Sequence, residues 1–323
     1  MKAAITYTDL YIPQRSYRID DYVKFLDTSV LNNGLSQEEI AGVLKYSMGV
    51  EKVYIEDKKN SINIFTSMVE KYLDQSGTKP EEISFIIYSR GNSIVSGDPW
   101  SIDDSECINL PYYLQRKFGM VNAQIFNLEQ ECSGTLMTLR IAMSLIKDNS
   151  KCKILHLTSN FFETAEKRLM GGLVVVSDGL ALMEISSSDS GLRLIDFEAK
   201  TDSRFSKVKD LSDTANVMFV VETGCELIRK ILNQNSLQLD DISYIIPQNI
   251  SRNVWNIYCN VLEYPKEKVF LKNITNGGHM GDVDIVRNIT GINKERLLTK
   301  GKYILAYGIG TGTSWNCLLM QYA

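Results

Sequence analysis

The stretch YLDQSGTKPEEISFIIY, from Tyr72 to Tyr88, has a counterpart in ILNQNSLQLDDISYIIP, from Ile231 to Pro247. The offset is constant, because 231 minus 72 and 247 minus 88 both give 159. In each copy an amphipathic pattern ends, two acidic residues follow, and a short β-branched apolar run typical of a buried strand begins. The two copies indicate that the chain consists of two halves with the same succession of elements.

The segments around both copies repeat in the same order. The expected strands are 2–8, 83–89, 123–128, 151–159 and 177–186 in the first half, and 192–198, 242–248, 268–273, 300–308 and 312–322 in the second. The expected helices are 62–77, 106–119 and one after Cys132, then 220–235, 252–264 and one after His279. This alternation predicts parallel-dominated sheets covered by helices, one in a unit of residues 1–186 and one in a unit of residues 187–323. The third helices of the two halves are expected to pack together, so that their N-termini face the same place.

Composition limits the class of protein. Of the 323 residues, 44% are hydrophobic and 23% charged, and the net charge of -4 argues against nucleic-acid binding. No apolar run is long enough to span a membrane, and the N-terminus reads as a strand rather than a secretory signal. Six cysteines without CxxC spacing indicate reduced thiols in the cytoplasm. With two histidines and no paired cysteines, a metal site is not expected.

Cys132 and His279 are the candidate reactive residues. Cys132 follows an expected strand and stands at the head of a helix, where free amides and the helix dipole favour a thiolate. His279 lies in the glycine turn GGHMGDVDI, just before the matching helix of the second half. The alternatives are that Cys132 is a small buried apolar residue and His279 an ordinary turn residue. The other histidine, His156, lies inside a strand and is expected to be a core residue.

The chain resembles the ketoacyl-acyl carrier protein synthase III enzymes. The resemblance rests on six segments in the family's order: SMGVEKVYI (47–55), FNLEQECSGTLMTLRIAMSLI (126–146), VVVSDGLALMEIS (174–186), PQNISRN (247–253), GHM (278–280) and YGIGTGTSWNCLLM (307–320). It implies the thiolase fold, an α/β five-layer αβαβα sandwich of two pseudo-equivalent βαβ halves that is usually a homodimer. It also implies that Cys132 is the nucleophile that accepts an acyl group.

Two further positions depart from the synthase pattern. Gln248 stands where these enzymes have the catalytic histidine, and His279 stands where they have asparagine. GHM is similar to the Gly-His motif of thiolases, which implies a Cys132–His279 nucleophile–base dyad with the Gln248 amide donating to an oxyanion. The amide of Asn249 is an alternative to that of Gln248. Asp282 and Asp284 either favour the helix start, or one of them orients His279 as the acid of a triad.

The remaining implied residues line the substrate path. Gly312 and Thr313, in the closing glycine-rich turn, are expected to contribute the oxyanion hole, and Trp100 falls in the loop that borders the acyl pocket in the family. The donor is expected to be acyl-coenzyme A or an acyl group on the phosphopantetheine of a carrier protein, with no cofactor bound permanently. Because carrier proteins are acidic, a basic docking patch is expected. Its candidate residues are Arg204, Lys207, Lys209, Arg252 and Lys266.

Three functions are compatible with these residues. The first is a Cys–His acyltransferase, or non-standard condensing enzyme, in a specialised pathway for a secondary metabolite or a fatty-acid-like product. The second is a decarboxylative 3-oxoacyl synthase III that uses His279 in an altered geometry. The third is a non-catalytic partner subunit of a related enzyme. Retention of Cys132 favours the first two, because a supporting subunit does not need the thiol.

Overall fold

The computed structural model describes residues 2–28, 34–90, 109–170, 174–202, 214–310 and 314–323. The strands are β1 (Ala3–Tyr11), β2 (Ser16–Arg18), β3 (Lys52–Tyr54), β4 (Ile83–Arg90), β5 (Gln124–Leu128), β6 (Lys153–Asn160), β7 (Leu169–Met170), β8 (Val174–Val175), β9 (Gly179–Ser187), β10 (Leu192–Thr201), β11 (Ile242–Pro247), β12 (Tyr303–Gly310) and β13 (Ser314–Tyr322). The α-helices are α1 (Ile19–Tyr22), α2 (Gln37–Gly42), α3 (Ser61–Ser76), α4 (Leu110–Phe118), α5 (Gly134–Asp148), α6 (Thr214–Gln234), α7 (Arg252–Leu262), α8 (Lys272–Thr275) and α9 (Asp284–Lys294).

Nine of these strands form one hydrogen-bonded sheet, in the order β11-β12-β13-β10-β1-β9-β6-β4-β5. Read outward from its centre, the order β1-β9-β6-β4 of the first half is repeated by β10-β13-β12-β11 of the second. The expectation of two separate sheets is therefore wrong in detail. The two half-sheets are joined at their edges by a short antiparallel pairing of Ala4 with Arg193 and of Ile5 with Leu192.

The expectation of parallel-dominated pairing is also wrong. Within the described part of this sheet, β11 with β12, β4 with β5 and β4 with β6 are parallel, and the other five pairings are antiparallel. The reason is that β9 and β13 follow β6 and β12 without an intervening long helix. A strand that returns without such a crossover pairs antiparallel with the strand before it.

Buried apolar side chains divide the molecule into five layers. Along β12, Ile304 and Ala306 face one cluster while Leu305 and Tyr307 face another, as the two-residue period of a strand requires. The middle cluster holds α5 and α9 between the half-sheets. The outer clusters hold α3 and α4 on the first half-sheet, and α6 and α7 on the second. This αβαβα order is the one that the resemblance implied.

Most predicted elements are confirmed to within a few residues, but the strand expected at 268–273 is wrong. There the chain makes a 3-10 turn at Lys266–Lys268, a single parallel bridge from Val269 to Ile245, and then the short helix α8. The chain bends into α8 after this one bridge, so no ladder forms. The division of the chain after residue 186 stays a prediction. Among the described helices, none combines the length and apolar character that crossing a bilayer would require.

Candidate active site

Cys132 occupies a short 3-10 turn, Glu131–Ser133, between β5 and α5. Its side chain is buried, and the residue before it, Glu131, has a positive φ of 47°. The Ser133 hydroxyl donates to the Gln130 carbonyl at 2.9 Å and closes the turn. A Cβ on Gly134 would lie 2.9 Å from both the Asp282 Oδ2 atom and the Ser89 Cβ atom. Glycine is therefore needed here for the second half to approach the residues that follow Cys132.

His279 is held by backbone bonds to the end of β8 and to the residues just after it. Its amide donates to the Val175 carbonyl at 3.3 Å, and its carbonyl accepts from the Ser177 amide at 2.8 Å. The chain reaches this position through Gly277 and Gly278, with φ angles of 118° and 57° that favour glycine. A Cβ on Gly278 would lie 2.9 Å from the Val175 carbonyl oxygen. The glycine pair thus lets the turn pack closely against β8, and this contact fixes the backbone position from which the His279 side chain extends.

The structure brings Cys132 and His279 together, with Asp284 behind the histidine. The His279 Nδ1 atom lies 2.6 Å from the Asp284 Oδ2 atom, and the ring also makes a side-chain hydrogen bond with Cys132. Because Nδ1 is engaged with the carboxylate, Nε2 is the atom left for the thiol. All three side chains are buried, and Asp284 is fully so. Of the two aspartates considered from the sequence, Asp284 is the one that contacts the histidine.

The surroundings of His279 favour its protonated form. Burial alone lowers the pKa of a histidine, because it removes water from the cation. The charge of Asp284, the charge of Cys132 and hydrogen bonds to both outweigh burial, and together they raise the pKa of His279 from 6.5 to about 10. A more basic ring is a better acceptor for the thiol proton, so this arrangement can generate a thiolate.

Asp284 is fixed by donors on both carboxylate oxygens. The Asn249 amide donates to Oδ2 at 2.7 Å, and the Asn249 side chain and the Met280 amide donate to Oδ1 at 3.0 and 2.9 Å. Asn249 is held in turn by the Asn288 side-chain amide, which donates to its Oδ1 at 2.9 Å. Asn249 thus supports the acid rather than an oxyanion in this structure. The Asn249 side-chain amide, which was predicted as an alternative oxyanion donor, already donates to Asp284.

Gln248 lies against Cys132, but its amide is engaged with backbone. The Nε2 atom donates to the Cys132 carbonyl, and Oε1 accepts from the Ile309 amide at 2.7 Å. A Cβ on Gly308 would lie 2.9 Å from the Gln248 amide carbon, so the strand passes directly over it. Gln248 therefore ties the Cys132 turn to β12. Donation to an oxyanion stays a prediction that would use the second Nε2 hydrogen.

A second buried polar network lies beside α5, the helix that follows Cys132. The Asp282 carboxylate accepts from the Ser89 hydroxyl, from the Thr135 amide and, at 3.1 Å, from the Thr158 hydroxyl. Burial raises the pKa of Asp282 to about 6, against the opposing effect of these hydrogen bonds. His156, expected as a core residue, is fully buried and joins this network through Ser89, 2.9 Å from Nε2. Burial lowers the pKa of His156 to about 3, so its ring is neutral.

Two structural residues escaped the sequence reasoning. Arg287 is buried, and its guanidinium donates to the carbonyls of Asn276 and, at 3.4 Å, Gly278, which precede His279. Burial lowers the pKa of Arg287, while the nearby Asp284 charge opposes that shift. Asn288 lies one residue further along the same helix. The signal for both was present in DIVRNIT, where polar residues three and four positions after Asp284 interrupt an otherwise apolar helix.

Several predicted residues lie outside the described ranges. They are Trp100, Arg204, Lys207, Lys209, Gly312 and Thr313. Arg252 is described and exposed at the start of α7, where its guanidinium donates to the Thr275 hydroxyl at 2.5 Å and its side chain covers Gly49. Lys266 is exposed as well. Within the described ranges no group of three histidine, cysteine or acidic side chains is arranged to hold a metal ion.

The chain is similar over nearly its whole length to 3-oxoacyl-[acyl-carrier-protein] synthase III proteins. Residues 232–322 match the family model for the C-terminal part of 3-oxoacyl-[acyl-carrier-protein] synthase III. The β-ketoacyl-[acyl-carrier-protein] synthase III of Clostridium acetobutylicum is 23% identical over 98% of this chain and 97% of its own length. The crystal structure of the Aquifex aeolicus synthase III superposes with a TM-score of 0.79 at 20% identity, covering 99% and 100% of the two chains. The ChlB3 acyltransferase superposes with a TM-score of 0.80 at 16% identity, covering 100% and 98%.

Proposed function

We propose that the chain, which is similar to 3-oxoacyl-[acyl-carrier-protein] synthase III proteins over nearly its whole length, is an acyltransferase that works through an acyl-enzyme at Cys132. It takes the acyl group from a coenzyme A or carrier-protein thioester and passes it to an acceptor in a specialised biosynthetic pathway. The observation that carries the proposal is the series of hydrogen bonds from Asp284 through His279 to Cys132. Nucleophile, base and orienting acid in this order are the parts that acyl transfer through a covalent intermediate requires.

Acylation begins with proton transfer from the Cys132 thiol to His279 Nε2. The thiolate attacks the carbonyl carbon of the donor thioester, and a tetrahedral oxyanion forms. When the oxyanion collapses, the bond to the donor sulfur breaks, and the leaving thiol takes the proton from His279. The acyl group is then held by Cys132 as a thioester, and no oxidant, reductant or metal is consumed.

Transfer to the acceptor reverses these roles. The acceptor's nucleophilic atom gives its proton to His279 and attacks the acyl carbon on Cys132. Collapse of the second tetrahedral intermediate breaks the bond to the cysteine sulfur, which recovers the proton from the histidine. Asp284 holds the histidine ring in one tautomer and stabilises the imidazolium in both steps, without itself accepting the proton.

The same contacts favour acyl transfer over decarboxylative condensation. In the synthase III resemblance, a histidine and an asparagine stabilise the enolate left by loss of carbon dioxide, and those positions hold Gln248 and His279 here. The nitrogens of His279 are already engaged with Asp284 and Cys132, and the Gln248 oxygen accepts from a backbone amide. A non-catalytic subunit has no need for a buried cysteine, histidine and aspartate in contact. The proposal is therefore non-decarboxylating transfer.

The donor carries its acyl group on the phosphopantetheine arm of coenzyme A or of a carrier protein. The curated relatives are named for an acyl-carrier-protein substrate, which supports a carrier protein as the partner of this chain. Arg252 and Lys266 are the described residues of the predicted basic docking patch, and both are exposed. Arg252 lies at the start of α7, four residues after Gln248. No bound cofactor is required by either half-reaction.

We also propose a homodimer formed along β5. Among the described residues β5 ends the strand order and pairs only with β4. Phe126 on this strand is 42% exposed, although it stacks on Phe85 at 5.6 Å. A bare strand edge with an exposed aromatic residue readily pairs with a second copy. Phe126→Glu is expected to be a monomer in light scattering, while Tyr112→Glu, at an exposed residue of α4, is expected to stay a dimer. If both variants are dimers, the β5 interface is wrong.

Intact-protein mass spectrometry tests the acyl-enzyme. The wild-type protein is incubated with acetyl-, butyryl- and octanoyl-coenzyme A and with the same groups on a carrier protein. We expect a gain of one acyl mass with at least one donor, lost in Cys132→Ala. Cys152→Ala is the matched control, because Cys152 is another buried free thiol, and burial raises its pKa.

Carbon dioxide release separates transfer from condensation. With malonyl donors and the acylated protein, the proposal predicts no release above the level seen with Cys132→Ala. Release that depends on Cys132 would instead establish the decarboxylative synthase. If no donor acylates the wild-type protein, the proposed function is wrong.

A further inference from the structure

Asp282 occupies, in the second half, the place that Cys132 occupies in the first. Each is the middle residue of a three-residue 3-10 turn, Glu131–Ser133 or Gly281–Val283, and each turn leads directly into a middle-layer helix. The spacing agrees, because 282 minus 132 and 284 minus 134 both give 150. The internal duplication thus places a buried carboxylate opposite the nucleophile, and the acyl-transfer steps do not use it.

Among the described residues, the hydrogen bonds of the Asp282 carboxylate, and the one from the Thr135 hydroxyl to its carbonyl, all reach across to the first half. Its carboxylate accepts from the Thr135 amide, and its backbone carbonyl accepts from the Thr135 hydroxyl at 2.8 Å. The other carboxylate oxygen accepts from the hydroxyls of Ser89 on β4 and Thr158 on β6. Asp282 is fully buried, so no water competes for these contacts. A single residue of the second half therefore holds α5 and two strands of the first.

Proton positions in the network follow from its donors and acceptors. Ser89 has one hydroxyl proton, which it gives to the ionised Asp282. The neutral ring of His156 must then donate its Nε2 proton to the Ser89 oxygen, 2.9 Å away. This tautomer leaves Nδ1 without a proton, and Nδ1 has no hydrogen-bond partner within the described residues. His156 thus orients Ser89 toward the carboxylate.

The two ends of the contact lie close in sequence to the reacting residues. Thr135 is three residues after Cys132, and Asp282 is three residues after His279. Together with the bond from Gln248 to the Cys132 carbonyl, the Thr135–Asp282 contact ties the halves on either side of the dyad. A displacement of about 1 Å between reacting atoms can cost about 10²-fold in rate.

We propose that Asp282 is a positioning residue, which locks the start of α5 to the His279 turn and so sets the Cys132–His279 geometry. This inference rests on the proposed acyl transfer. The carboxylate also places a negative charge at the N-terminus of α5, where it offsets the positive end of the helix dipole. Activation of the thiol then depends on His279 and Asp284 more than on the helix. Asp282 therefore acts on the cysteine through the geometry of the dyad and not through its charge.

Three variants separate positioning from general stability. Asp282→Ala removes the contact, whereas Asp282→Asn keeps the shape and an oxygen for the Thr135 amide. Glu184→Ala is the matched control, because Glu184 is another buried carboxylate, with donors Thr6 and Tyr72 at 2.6 and 2.5 Å, that lies in the outer part of the first half. Each variant is compared as the folded full-length protein, at least about 15 °C below its own melting temperature, so that unfolding does not contribute to the measured rates.

The measured quantities are the rate of acyl-enzyme formation and the rate of Cys132 alkylation by iodoacetamide. We expect Asp282→Ala to slow both reactions by about 10-fold or more, and Asp282→Asn to keep both rates within about threefold of wild type. Glu184→Ala should have a lower melting temperature but unchanged rates of acylation and alkylation. Wild-type rates in Asp282→Ala, an Asn variant as slow as the Ala variant, or an equally slow Glu184→Ala would each overturn the inference.

Failure of the proposed function gives a different pattern. If no thioester acylates the wild-type protein, the acyltransferase proposal fails. Alkylation needs only Cys132 and its base, so the alkylation rates of the three variants still test the positioning role of Asp282. If Asp282→Ala does not fold, Thr135→Val replaces it, because it deletes the 2.8 Å hydroxyl contact and keeps the amide. An alkylation rate at least about threefold below wild type is then expected, and an unchanged rate would refute the positioning role.

Discussion

Asp284→Asn tests the orienting acid directly, because it changes one atom of a side chain whose contacts are all known. The two Asp284 oxygens accept from Asn249, Met280 and His279. If the asparagine keeps its oxygen toward the Met280 amide, its NH₂ group faces His279 Nδ1. That nitrogen must then accept, so the ring proton moves to Nε2 and points at Cys132. The histidine in this tautomer cannot take the thiol proton.

The size of the effect follows from how much a cysteine needs its base. In serine enzymes with this arrangement the same change lowers kcat about 10⁴-fold. A thiol is more acidic than a hydroxyl, and a free thiol with a pKa of about 8.5 is roughly 3% ionised at pH 7. Loss of the base therefore costs on the order of 30-fold in thiolate, or about 2 kcal/mol. We expect acylation of Asp284→Asn to be about 30- to 100-fold slower than wild type at pH 7.

The assay is a single-turnover experiment, quenched and read by intact mass, from pH 7 to pH 9.5. The defect should shrink as pH rises, because the thiol ionises without help. Thr290→Val is the control on the same helix, since its hydroxyl bonds Thr8 at 3.0 Å and the Val286 carbonyl, away from the dyad. The reasoning is refuted if Asp284→Asn acylates within threefold of wild type at pH 7, or if its defect is the same at pH 9.5.

Three other measurements probe the same site. Because the pKa of His279 is raised from 6.5 to about 10 in the folded state, protonation of His279 stabilises the fold fully below pH 6.5, and the urea midpoint should fall as pH rises toward 10. In His279→Gln the urea midpoint should depend less on pH. An unchanged pH dependence would contradict the raised pKa of His279. Gln248→Leu leaves the half-buried Ile309 amide without its acceptor, so the free energy of unfolding should drop by about 1–3 kcal/mol and acylation should slow. Equal stability would show that this hydrogen bond is unimportant. Arg287→Met removes the guanidinium from the carbonyls before His279 and from beside Asp284. The free energy of unfolding in denaturant titrations should fall by about 3 kcal/mol, and acylation at 25 °C should be slower. Wild-type stability and wild-type acylation would show that Arg287 does not support the His279 turn.

The layered fold could be predicted because its signals are local and occur twice. The runs ISFIIYS and ISYIIPQ became β4 and β11, and the helices between them fell within a few residues of their predicted bounds. The strand expected at 268–273 failed because Val269 alone reaches a partner strand before α8 begins. An apolar run gives no information on whether a neighbouring strand is within reach of its backbone. That depends on the packing of the whole half.

The site was predictable for the residues that bear the chemistry, and not for those that hold them. Cys132 and His279 were found from their turns, and the structure brings them into contact. The direction of the Gln248 amide and the bond between Thr135 and Asp282 depend on contacts between residues 116 to 147 positions apart. Spacing along the chain does not reveal such pairs. The choice between Asp282 and Asp284 as the partner of His279 was open in the sequence, and the fold selects Asp284.

The pairing of β1 with β10 has a consequence for dividing the gene. That seam joins the halves through only two described residue pairs, whereas α5 and α9 share one apolar cluster between the half-sheets. Either half expressed alone would therefore expose the apolar face of its middle helix and would be prone to aggregate. Two fragments made together in one cell, with the break in the exposed polar connector around Ser188 and Ser190, should instead find each other and rebuild the dyad. Complementation of this kind would make acyl transfer a reporter of fragment assembly.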